Sequence, residues 1–387
     1  MRGKVDYIIA AAATVLLLIG LIMVFSASSM VANNNFGSLT YFFRKQIMWG
    51  AIAFIMMLVF SRINYQRLKD NHKPGIFVVI SIILLIGLFF FGSRINGATR
   101  WYHLWIMNFQ PSELAKIALI IYFSHVLSNP KKNLNNFKEG LMPAMIMLIS
   151  VLLLIMMQPD LSTALMIGLI CFSILFVSQV KMIHITALGL PLIPATIYLT
   201  VNGYQSKRII NWIEGWQNPL AANYQVRQSL IGLGRGGYFG QGLGQGKQKF
   251  LFLPDSHTDF IFSIIGEEFG FIGTTLILVL FLVILFRGLY VVRKTPDNFG
   301  KFLALGFTLN IVFYALINAA VVSRLLPATG LPMPFISYGG SNLLFLGISI
   351  GILLSISRKS SPMDMSANWN EIRNKREQLF SRVITIE

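Results

Sequence analysis

Ten runs of apolar residues, most of them near twenty positions long, recur along this chain, and no other feature constrains its fold as much. A helix needs about twenty such residues to cross ~30 Å of hydrocarbon, and within that layer the backbone must pair all its own polar groups. The chain therefore reads as an all-α polytopic membrane protein. Its expected spans lie at about 7–29, 46–61, 75–91, 111–127, 140–157, 161–179, 183–201, 268–290, 302–323 and 338–356. The first run follows Arg2 and Lys4 but is too long for the apolar part of a signal peptide, about 7–15 residues, so it counts as a span. Charged residues are only 12% of the chain, against about 25% in soluble domains. Cys171, the one cysteine, lies inside an apolar run and reads as a small buried hydrophobe, which leaves no internal disulfide.

An even number of spans puts both termini on one side. Lys and Arg are roughly twice as numerous on that side as on the other, which makes it cytoplasmic by the positive-inside rule. The net charge of +17 is carried mostly by inter-helix loops and by a basic tail at 359–387, so it calls for no nucleic acid. The core unit is then 1–358, with a large extracytoplasmic loop between the seventh and eighth spans.

The unusual polar residues gather on the outer side. They occur in "GSRINGATRW" (92–101), "NFQPSELAK" (108–116), "QPDLSTA" (158–164), the loop 202–259 and "LPATGLPMPFISYGGS" (326–341). The loop centre, "GLGRGGYFGQGLGQGKQKF", contains a formal G-x-G-x-x-G at Gly232, Gly234 and Gly237. It follows no strand and lacks the Ser or Thr of a phosphate loop, so it reads as a flexible loop needing positive φ at several glycines. In "PSELAK", Pro111 suits the first helical turn, and Glu113 and Lys116 share one face at i,i+3. That pair is either an ion pair easing two charges near the interface or a functional pair facing the interior.

"FLPDSHTDFIF" (252–262) concentrates Asp255, Ser256, His257, Thr258 and Asp259 at the mouth of an apolar run. The spacing around His257 fits no established metal-ligand pattern. Asp259 or Thr258 is placed to cap the following helix, although no Glu or Gln completes a capping box. Continuous helix from Phe260 to Val292 would run roughly 50 Å, too long for a bilayer, so a break near "GEEFG" is expected. Asp259 would then sit at the lip of an outward cavity, where partial desolvation lifts a carboxylate toward the range of a useful base. Capping and catalysis both remain open on chemistry alone.

These motifs, with "LPDSHTDFIFSIIGEEFG" and "GLIMVFSASS", resemble in order and position those of the SEDS family (shape, elongation, division and sporulation), the FtsW/RodA/SpoVE group. The likeness runs from about Asp6 to Arg358, and "LINAAVVSRLLPATGLPMPFISYGG" is nearer the FtsW/SpoVE branch. Asp255 stands where the family more often has Glu. The resemblance implies ten membrane helices and polymerisation of lipid II into peptidoglycan beside a class B penicillin-binding protein. It implies an essential aspartate, here Asp259. Arg100, Trp101, Glu113 and Lys116 carry over as cavity residues, while Lys207, Arg208, Arg235, His257, Thr258, Ser337 and Tyr338 complete the candidate substrate-binding set. No cofactor is required by this reading, and a divalent cation stays open. A lipid II flippase would use the same fold but needs polar groups reaching both faces, and a non-catalytic scaffold would leave the "HTD" cluster idle.

Overall fold

The computed structural model describes residues 5–360 apart from 71, 96–97, 105–106, 131, 133, 135, 179, 182, 185, 187–205 and 219–221. The elements in chain order are α1 (Tyr7–Phe36), α2 (Tyr41–Arg62), α3 (Lys73–Phe91), β1 (Ser93–Ile95), β2 (Ala98–Leu104), β3 (Met107–Phe109), α4 (Pro111–Leu127), α5 (Met142–Met157) and α6 (Leu161–Val177). They continue with α7 (Ser206–Gln217), α8 (Tyr224–Gly236), α9 (Ile261–Lys294), α10 (Asn298–Val322) and α11 (Gly340–Ser360).

Among the described residues seven helices are long and apolar enough to cross a membrane: α1, α2, α3, the segment Phe137–Met157 that contains α5, α9, α10 and α11. The expected spans at 111–127 and 161–179 are the 17-residue helices α4 and α6. The expected span at 183–201 falls almost entirely outside the described residues. The interior of the bundle belongs to α4, α10 and α11. About three quarters of α11's most apolar stretch is buried (78%), against 28% for α2. A helix apolar all round belongs inside, whereas α2 and α3 turn large side chains such as Ile55 and Ile83 outward.

Two expectations need correction. The fold is mostly helical but not all-α, because three strands form an antiparallel sheet in the order β1-β2-β3. Thr99, Trp101 and Tyr102 favour that backbone, and Tyr102 Oη donates to the Leu84 carbonyl of α3 at 2.8 Å, pinning the sheet to the bundle. The glycine-rich segment takes positive φ at Gly237, Gly240, Gly242 and Gly244 as expected, but its first part is helix and the rest is an ordered turn. Two amphipathic helices, α7 and α8, precede it, and Gly232 and Gly234 lie within α8.

The expected break in the long helix is present. Gly270 interrupts α9 with φ of +66°, a left-handed backbone that favours glycine. A broken helix leaves amides and carbonyls without partners, and the glycine-rich turn supplies them. Phe271 and Ile272 donate to the Gly237 and Tyr238 carbonyls, while Gln241 and Gly242 donate to those of Glu267 and Glu268. The two backbones meet so closely that a Cβ on Gly240 (φ +81°) would lie 2.1 Å from the Glu268 carbonyl oxygen.

Candidate active site

The segment 255–259 arrives at α9 as a turn, and its backbone is held at three consecutive carbonyls. Tyr338 N–H donates to the His257 carbonyl at 2.9 Å, and Ser337 Oγ to that of Thr258 at 2.6 Å. Asn318 Nδ2, from α10, donates to the Asp259 carbonyl at 2.7 Å and also to the Leu331 carbonyl at 2.7 Å. Asn318 is 1% exposed. Ser256 Oγ adds a bond to the Ala27 carbonyl of α1. The Ser337 hydroxyl and the Tyr338 backbone thus fix the turn, and the Tyr338 and Phe42 rings flank His257.

This geometry answers the capping question. The residue at the cap of α9 is Phe260, with no side-chain cap bond. Thr258 Oγ1 donates to the Asp255 carbonyl instead. Among the described residues no group donates to the Asp259 carboxylate, so its main chain is fixed while its side chain is left unspent. The carboxylate keeps partial access to solvent yet lies deep in protein, with Gly330 beside it. Burial pushes its pKa up to about 7, aided by the charge of Asp255 and opposed by Arg208 and Arg100, with Asp160 raising it slightly further.

The structure brings those two arginines to the site by different routes. Arg100, on β2, lies 3.6 Å from Asp160 and donates to the Gln158 and Pro159 carbonyls. Asp160 also caps α6 by accepting from Thr163 N at 3.3 Å. Arg208, on α7, donates to the Ala328 carbonyl at 3.2 Å, and Trp212 anchors the same helix on the Arg324 carbonyl. Trp101 is half-buried on β2, and Lys207 is exposed beside Arg208.

Glu113 and Lys116 open α4 as a buried pair. Lys116 Nζ lies 2.9 Å from Glu113 Oε2 and 4.0 Å from the centre of the Tyr314 ring, and both charged residues are under 5% exposed. The Tyr314 hydroxyl has no hydrogen-bond partner among the described residues, and the charges of Glu113 and Asp160 reach it. Arg235, by contrast, stands 3.9 Å from Glu267, at the helix break. Glu267 accepts from the amides of Lys247 and Gln248, and Glu268 from Lys249 Nζ and Ser26 Oγ at 2.7 Å each. These two glutamates tether the glycine-rich turn. Among the described residues no three His, Cys, Asp or Glu side chains come together as a metal site.

Asn318 and Tyr314 lie outside the candidate set, and Asp160 stood out only as part of "QPDLSTA". The first had one signal, an amide in the middle of the apolar run "YALINAAVV".

The chain matches the family described as cell cycle protein, FtsW/RodA/SpoVE, over residues 7–362. It is 39% identical over 357 residues to the probable peptidoglycan glycosyltransferase FtsW of Geobacter sulfurreducens, covering 92% of this chain and 96% of that one. It is 38% identical to the stage V sporulation protein E of Bacillus subtilis over 356 residues, 92% and 97% of the two chains. Among solved structures, a chain from a peptidoglycan synthase complex that coordinates polymerization and crosslinking superposes with a TM-score of 0.73 at 23% identity, over 93% of this chain and 99% of that one. The rod shape determining protein RodA of Thermus thermophilus gives 0.68 at 24% identity, over 93% and 98%. By sequence along nearly its whole length, and by fold, the chain belongs to the FtsW/RodA/SpoVE family.

Proposed function

We propose that this protein is a peptidoglycan glycosyltransferase that polymerises lipid II into β-1,4-linked glycan strands on the outer face of the bacterial cytoplasmic membrane. The observation that carries the reading is Asp259: a carboxylate held by its backbone, with no donor to its side chain among the described residues, and poised to ionise near neutral pH. Lipid II presents an α-linked diphosphate and the product linkage is β, so a single inversion suffices. Asp259 takes the proton from the acceptor 4-hydroxyl as that oxygen bonds to the donor's anomeric carbon. The bond from that carbon to the diphosphate oxygen breaks, and its electron pair leaves with the undecaprenyl pyrophosphate. Arg100 and Arg208 are the cations on hand for the charge that develops there. The proton on Asp259 returns to water through its partly open side. A class B penicillin-binding protein is the proposed partner for crosslinking.

The purified protein, with and without that partner, should convert lipid II into glycan polymer. Absence of polymer under both conditions would refute the assignment.

Ten spans with both termini cytoplasmic are part of the same reading. In a Cys171→Ser background, an impermeant thiol reagent applied to intact cells should label a Gln245→Cys variant and spare Ser360→Cys. The reverse pattern would invert the orientation.

Asn318 is proposed as a positioning residue. Asn318→Ala frees the Asp259 and Leu331 carbonyls, and a ~1 Å drift of the base is enough to cost about 10²-fold in rate. Turnover should fall by roughly that factor while apparent affinity for lipid II changes little. A loss of affinity at normal turnover would assign Asn318 to substrate binding instead.

A further inference from the structure

At the opposite end of α3, α4 and α5 from Asp259 lies a cavity of about 420 Å³. Its polar end is formed by His72, His125 and Lys132, and its wall by Ile76, Val79, Ile80, Val126 and Met147. The charges of Lys69, Lys132 and His72 all reach the His125 ring, whose Nδ1 is buried without a partner among the described residues. Among those residues no carboxylate lines the cavity; the nearby Asp70 is paired with Lys73 at 3.5 Å on the exposed side. Ile76, Val79 and Ile80 are each more than 40% exposed on the outer face of α3. The cationic end therefore opens sideways onto apolar helix surface.

A site that is cationic at one end and apolar along one side matches a molecule with an anionic head and a hydrocarbon tail. We propose that this cavity binds an anionic membrane phospholipid, with its phosphate against His72, His125 and Lys132 and an acyl chain along Ile76, Val79 and Ile80. Basic pockets between helices on the cytoplasmic side are suited to such head groups, because the inner leaflet carries the negative lipids. The inference rests on reading these helices as spans with this end inward, and it is independent of glycosyl transfer.

The test is native mass spectrometry of the detergent-purified protein titrated with phosphatidylglycerol, phosphatidylcholine or inorganic phosphate. Phosphatidylglycerol should be retained selectively. Lys132→Gln should weaken it about five-fold, and Lys132→Gln with His72→Gln further, since a cation near a membrane surface contributes about that factor. Lys132→Arg should retain binding. Both positions are at least partly exposed, so the variants are expected to fold, and the thermal unfolding midpoint checks this. Equal retention of phosphatidylcholine, or unchanged binding in the double variant, would overturn the proposal. So would inorganic phosphate binding as well as the lipid, because the apolar wall would then contribute nothing. Lipid II polymerisation tested separately distinguishes failure of this site from failure of the proposed activity.

Discussion

Asp259→Asn is expected to abolish lipid II polymerisation, with a fall of about 10²–10⁴-fold for loss of a general base, and to leave the fold intact or firmer. Asparagine caps a helix as well as aspartate does, so a capping role would predict normal activity. The stability half of the expectation follows from linkage. The folded protein holds the Asp259 proton up to about pH 7, whereas an ordinary aspartate releases it at about pH 4. Folding is therefore favoured fully below about pH 4, and that contribution is lost as pH rises through about 7. Asn carries no charge to bury. The variant's thermal midpoint should equal or exceed the parent's above pH 7, and the gap should narrow as pH falls and close toward about pH 4. For the parent, kcat/KM should rise from pH 6 to 8 as the base ionises. Asp255 is the stronger of the two charges holding that pKa up, and Gln225 Nε2 reaches its carboxylate at 3.0 Å, so Asp255→Asn should move the profile to lower pH. Substantial polymerisation by Asp259→Asn, or a pH profile flat between 6 and 8, would remove Asp259 from the role of base.

What could be read in the sequence is what is local. Long apolar runs announce their helices because each run pairs its own backbone, so α1, α3, α9 and α10 fall close to their expected places. The break at Gly270 was legible from length alone, since an unbroken helix overshoots the bilayer. The contacts that make the site are not local. Asn318 meets Asp259 across 59 positions and Ser337 meets Thr258 across 79, and neither carries a pattern that points to its partner. The sheet formed by β1, β2 and β3 was missed because two of its three strands are only three residues long. The glycine-rich turn looked loose for a similar reason. Its order comes from Glu267, Glu268 and the unpaired backbone of a helix broken elsewhere.

The same distinction between local pattern and tertiary partner governs Lys116. The spacing in "PSELAK" allowed a structural ion pair or a catalytic cation, and the geometry favours the first. Lys116 is 3% exposed, its charge is matched at 2.9 Å by Glu113, and its ammonium rests over the Tyr314 ring. Arg100, by contrast, keeps 30% of its side chain exposed. Lys116→Ala should therefore fail through folding. Removing one member of a buried pair leaves an uncompensated charge, typically a loss of ~3–5 kcal/mol, seen as a markedly lower thermal midpoint and loss of polymer. Glu113→Gln with Lys116→Gln removes both charges and keeps two amides that can bond to each other. Stability should then return to near the parent level and polymerisation to within about ten-fold, because no preorganised contact to the departing pyrophosphate has been lost. If the double variant is stable but slower by about 10²–10³-fold, the range for removal of one such contact, Lys116 acts on the substrate and the pairing with Glu113 only holds it ready.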